Sequence, residues 1–130
     1  MNDLNLKPVI TEKFKPFQDE ILSGYTDNIY SITLTGSALT DDFVPGKSDI
    51  NSVVVLTEMD LKFLELLSTL GKKYQKKRIA APLIMTPEYI VSSLDVFPIE
   101  FLNIKLLHNT IVGENLFQDL KINRSDLRLQ

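Results

Sequence analysis

Residues 34–56 read Leu-Thr-Gly-Ser-Ala-Leu-Thr-Asp-Asp-Phe-Val-Pro-Gly-Lys-Ser-Asp-Ile-Asn-Ser-Val-Val-Val-Leu, and this stretch decides the fold. It completes one strand and opens another. From Asn28 to Thr35 the residues are mostly β-branched or aromatic, which predicts a strand. That strand stops at Gly36-Ser37, and Asp41, Asp42, Pro45, Gly46 and Lys47 make the next segment a polar, turn-rich loop. Ile50 to Leu56, with Val53-Val54-Val55 at its centre, then predicts a second, well-buried strand.

Helical patterns lie on both sides of this pair. From Thr11 to Gly24, the residues Phe14, Phe17, Ile21 and Leu22 recur at helical spacing. Pro16 is expected to delay the start of that helix. Met59 to Lys77 predicts the longest helix, with Leu61, Leu64, Leu67, Leu70 and Tyr74 along one face. Lys72, Lys73, Lys76, Lys77 and Arg78 at its end could touch a nucleic acid or a phosphate, but they suit better the negative pole of the helix dipole, as a solvated helix end. Pro82 to Met85 predicts a short strand, and Thr86-Pro87-Glu88 has the cap, proline and acid of a helix start. The apolar residues of Phe97 to Leu107 suit a strand or an extended segment packed on the sheet, closed by Gly113. Ser125 to Gln130 has the look of a helix that has just begun and is expected to continue in a longer protein. The order predicts one α/β (α+β) domain over residues 1–124, a small mixed sheet flanked by helices, with residues 125–130 opening a further helix.

Composition excludes several function classes. Hydrophobic residues make up 44% and charged residues 24% of the 130, the balance of a globular domain. A net charge of −3, from 17 acidic and 14 basic side chains, argues against a nucleic-acid coat. With no cysteine there is no disulfide, thiolate metal site or cysteine nucleophile. No apolar stretch is long enough for a membrane span or a signal peptide, so the expected location is the cytoplasm.

Gly36-Ser37 ending a strand, followed by Asp49-Ile50-Asn51 opening the next, resembles the nucleotidyltransferase superfamily, whose fold is that of DNA polymerase β. The resemblance is to its small bacterial members and to aminoglycoside-modifying enzymes, and it runs from about Thr11 to Gly113. The family pattern is Gly-Ser, then an Asp-x-Asp or Asp-x-Glu pair. Gly36, Ser37 and Asp49 match, and Asn51 stands where the second acid belongs. What the resemblance implies is transfer of a nucleoside monophosphate from a nucleoside triphosphate to a small-molecule or protein acceptor, with magnesium. It casts Gly36 and Ser37 as triphosphate-binding and Asp49 with Asn51 as metal ligands. It also asks for a third acid on a neighbouring strand, for which Glu100 is the candidate because apolar residues flank it.

The chemistry of such a site follows from the residue types. Backbone N–H groups at a glycine-led turn can approach phosphate oxygens, and the Ser37 hydroxyl adds a donor. Positions 49 and 51 are two apart on a strand and face one way, so carboxylates there could share magnesium ions. The asparagine oxygen can bind a metal but brings no charge, which leaves the pair incomplete. The alternative is a degenerate domain of the same fold, serving nucleotide binding or protein interaction in a regulatory or antitoxin-like role. Taken singly, Gly36-Ser37 is also a plain strand-ending turn and Asp49 an Asx turn. Asp41 and Asp42 fit a solvated loop, and His108 a structural role. Oligomerisation stays open.

Overall fold

The computed structural model describes residues 6–127. Four strands form one mixed sheet in the order β3-β2-β1-β4, with β1 at Ile29–Thr35, β2 at Asn51–Leu56, β3 at Leu83–Met85 and β4 at His108–Gly113. β1 runs antiparallel to both β2 and β4, whereas β3 runs parallel to β2. Helices α1 (Pro8–Tyr25) and α2 (Leu61–Gln75) pack on one face, and α3 (Pro87–Ser93) and α4 (Pro98–Leu106) on the other. Strand periodicity sorts the core between the layers. Val54 and Leu56 face α1 and α2 while Val53 and Val55 face α3 and α4, all four being fully buried.

The first helix begins earlier than its sequence suggests, at Pro8, and runs through Pro16. A proline inside a helix costs about 3 kcal/mol through its lost hydrogen bond and ring clash. Pro16 and Glu12, four residues before it, both lie on the exposed side, so the freed carbonyl is open to water. The opposite face buries Ile10, Phe14, Phe17 and Ile21, each contributing about 1.5–3 kcal/mol, which outweighs the defect.

Along α2, Asp60 caps the first turn by accepting from Lys62 N–H at 2.8 Å. The buried stripe is Phe63, Leu70 and Tyr74: the predicted row holds at Leu70 and Tyr74, whereas its first members, Leu61 and Leu64, are exposed and Phe63 is buried instead. The buried stripes of α1 and α2 meet at Phe17 and Tyr74, whose rings lie 4.8 Å apart. The Tyr74 hydroxyl donates to the Glu20 carboxylate, joining the two helices. That bond is the main cause of a lowered Glu20 pKa, and burial, followed by Glu20, pushes the Tyr74 pKa up to about 12. The stabilisation carried by Glu20 is therefore present above its ordinary value of 4.5 and is lost as pH falls through the lowered folded value. That of Tyr74 is present below 10 and is lost as pH rises towards about 12. Tyr74→Phe is expected to lower the melting temperature by a few degrees at neutral pH. In melts at several pH values, the gap to the parent should close on acidification below the Glu20 range.

One further expectation needs correction. Residues 97–107 are not a strand or extended segment: they form α4, with Pro98 in its first turn and Phe101 and Ile104 buried against the sheet. Apolar residues all round, including exposed Ile99 and Leu106, hide the helical period. The fourth strand is instead the short run after it, His108–Gly113. Thr86 caps α3 as predicted, accepting from Tyr89 N–H at 3.2 Å. The helix start expected at Ser125 coincides with a single turn, Arg124–Leu127, and residues 128–130 lie outside the described residues. Among the described residues no helix is long and apolar enough to cross a membrane.

Candidate nucleotide site

The end of β1 is the centre of the site. Thr35 pairs with Asn51 on one side and with His108 on the other. Gly36 then takes φ +76°, a left-handed conformation that turns the chain into a single 3-10 turn, Gly36–Leu39. A side chain at 36 would begin 3.3 Å from the Asn51 amide nitrogen, so the residue matching the second acid lies directly beside the glycine. The Ser37 carbonyl accepts from both the backbone N–H (3.0 Å) and the hydroxyl (2.9 Å) of Thr40, which pins the turn. The Thr40 hydroxyl in turn accepts from Asp42 N–H.

Asp49 sits two residues before Asn51, half exposed. Its carboxylate lies 3.7 Å from the guanidinium of Arg78. The backbone explains that encounter: Ile50 N–H donates to the Arg78 carbonyl at 2.9 Å, and Ala80 N–H donates to Ile50 at 3.0 Å. The turn after α2 is thus sewn to the start of β2, putting the α2 exit on the opposite side of Asp49 and Asn51 from Gly36. In the sequence nothing singles out Arg78 from the five charges at this helix end.

Glu100 is on the first turn of α4 and not on a strand. It lines a groove of about 210 Å³ with Leu83, Met85, Tyr89, Phe97, Phe101 and Ile104. Ile104 also lines a neighbouring cleft of about 320 Å³, whose other walls are Thr35, Gly36, Asn103, Leu106 and Leu107. Glu100 and Gly36 thus line separate, adjoining openings that share Ile104 as a wall. β1, β3 and β4 carry no aspartate or glutamate at all. Asp41 pairs with Lys7 at 3.4 Å on an exposed loop. Both ring nitrogens of buried His108 are hydrogen-bonded.

Among the described residues no three acids or histidines come together as a metal cluster. The donor set at the motif is one carboxylate, Asp49, and one neutral amide, Asn51. That does not fit a two-metal centre, which needs several shared carboxylates. It does fit a single magnesium ion that keeps most of its ligands from substrate phosphates, which takes one or two carboxylates.

No protein-family model matches the chain, and no curated protein sequence does. Solved structures do. The spectinomycin adenyltransferase AAD(9) from Enterococcus faecialis, crystallised with ATP and spectinomycin, superposes with a TM-score of 0.61 at 17% sequence identity. The match covers 91% of this chain and 61% of that one, so the chain spans less than two thirds of the length of its structural neighbour. The fold of this chain is the nucleotidyltransferase fold.

Proposed function

We propose that the domain is a nucleotidyltransferase that moves a nucleoside monophosphate from a nucleoside triphosphate to an acceptor. The observation that carries the reading is the meeting of Gly36, Ser37, Asp49 and Asn51 at one end of the sheet, beside an open cleft, in a fold whose solved neighbour holds ATP. The Gly36–Ser37 turn offers the triphosphate its backbone N–H groups and the Ser37 hydroxyl. Asp49 and the Asn51 oxygen would hold a magnesium ion brought by the nucleotide, which would supply charge neutralisation at the phosphates. The acceptor, a small molecule or a protein, enters by the cleft walled by Asn103, Leu106 and Leu107. Its hydroxyl oxygen forms a bond to the α-phosphorus, the bond to the β-phosphate oxygen breaks, and pyrophosphate leaves. Glu100, in the adjoining groove, is the carboxylate we assign to take the hydroxyl proton.

A second reading is favoured by specific features: Asn51 is neutral, the neighbouring strands lack an acid, and Arg78 already partners Asp49. The domain would then be a nucleotide-binding or protein-interaction module that has lost its turnover. Both readings meet in one experiment. ATP and GTP titrations, with and without magnesium, are followed by thermal shift, since a ligand at one hundred times its dissociation constant stabilises by about 2.7 kcal/mol. Pyrophosphate release is then measured for the parent and for Asn51→Asp. The enzyme reading expects release from the parent, raised about tenfold by the restored acid. Release from the variant alone would establish the second reading, and no nucleotide response in either protein would remove both nucleotide readings.

A further inference from the structure

We propose that Arg78 is a phosphate-binding residue of this site, held in readiness by Asp49 and exchanged onto the triphosphate when the nucleotide enters. The inference rests on the nucleotide site proposed above and assigns to it a positive charge from the protein itself. Arg78 has φ +64°, and among the described residues it is the only non-glycine with a positive φ. An arginine is disfavoured in that conformation, and glycine or asparagine would sit there with less strain. The turn demands it nonetheless: Arg78 N–H donates to the Gln75 carbonyl, Ile79 N–H to that of Tyr74, and Ile50 N–H to Arg78 itself. Strain kept at a position where a simpler residue would serve points to a task for the side chain.

The side chain is aimed at the site. Its guanidinium meets Asp49 at 3.7 Å, with both groups about half exposed, so the pair is weak and exchangeable. The charge count gives the chemistry. Two acids at positions 49 and 51 would attract divalent cations, whereas Asp49, Asn51 and Arg78 together sum to zero. A site of that charge has lost its pull on a second metal ion and kept a planar, bidentate partner for phosphate oxygens. Arg78 thereby supplies at the triphosphate the positive charge for which the other family pattern would use a metal ion.

The test uses the whole chain and ATP itself, titrated calorimetrically in EDTA and in magnesium. The parent is expected to bind ATP in EDTA. Arg78→Gly should melt at or above the parent temperature, by about 2–4 °C, because glycine relieves the backbone. Its dissociation constant for ATP should rise at least tenfold while that for adenosine stays within threefold. Arg78→Asn, also tolerant of the left-handed region, repeats the measurement with a side chain in place. Asp49→Asn, which frees the guanidinium, should tighten ATP binding in EDTA severalfold. ATP binding by Arg78→Gly and Arg78→Asn as tight as the parent's would overturn the role of Arg78 and leave the nucleotide site standing. A parent that binds ATP only with magnesium would overturn the substitution of a metal charge. If no protein binds ATP in either condition, the site itself is refuted.

Discussion

Gly113→Ala is expected to lower the stability of the domain by about 3 kcal/mol or more, one of the two largest losses we anticipate from a single substitution. Gly113 ends β4 opposite Ser31, at an exposed position where burial predicts nothing. Its φ of +77° would cost an alanine about 1–2 kcal/mol. The larger effect is steric. A Cβ on this backbone would lie 2.0 Å from the Tyr30 carbonyl oxygen and 3.0 Å from the Ser31 Cα, both backbone atoms of β1. No rotamer relieves such a contact, so the strands must separate where they close the sheet. The β1–β4 register already shifts between Ile32 and Thr33, which leaves little slack nearby. Urea denaturation measures the effect, with Gly71→Ala as its control. Nothing lies within 4 Å of a Cβ at Gly71, inside α2, so that substitution should stabilise by about 0.5–1 kcal/mol. If Gly113→Ala stays within 1 kcal/mol of the parent, the paired ending of β4 is wrong.

What the sequence made legible follows from where local chemistry and tertiary packing agree. Ile29–Thr35 and Asn51–Leu56 carry β-branched residues in strands buried on both faces, so their composition alone identifies them. Thr86-Pro87-Glu88 is a cap written in adjacent residues. Gly36 and Asn51 could be joined because strand, loop and strand come in order, and the pairing of Thr35 with Asn51 brings them together. α4 failed for the opposite reason. Its apolar residues cover more than one face, since Phe101 and Ile104 meet the sheet while Ile99 and Leu106 stay exposed, so no period marks it as a helix. Misreading it hid the wall of the cleft and took Glu100 for a strand residue. Arg78 was hidden differently: its contact with Asp49 exists only because β3 returns parallel beside β2, and that crossover is not encoded near either residue.

The site also depends on a residue with no direct part in it, and His108→Ala is expected to cost about 3–4 kcal/mol. His108 is fully buried at the start of β4, opposite Thr35. Its Nδ1 lies 2.8 Å from the Lys105 carbonyl, which can only accept, so Nδ1 carries the proton. Its Nε2 lies 2.9 Å from the Asn115 amide nitrogen. The Asn115 oxygen is already taken by Phe117 N–H at 2.9 Å and Gln118 N–H at 3.1 Å, so the amide must donate and Nε2 must accept. The neutral Nδ1–H ring therefore ties the last turn of α4 to the segment that seats Phe117 and Leu120 in the core. Alanine would remove the ring from its edge-on contact with Phe117, leave a cavity and strand both partners. His108→Phe keeps the volume and loses only the two bonds, so about 2 kcal/mol of the loss should remain. Leu106 and Leu107 line the cleft just before this latch, so both variants should disturb the wall of the proposed acceptor cleft even where the fold survives. Denaturant melts give the stabilities, and nitrogen NMR of the imidazole gives the tautomer. A ring protonated on Nε2, or an alanine variant as stable as the parent, would show that His108 does not hold the cleft wall in place.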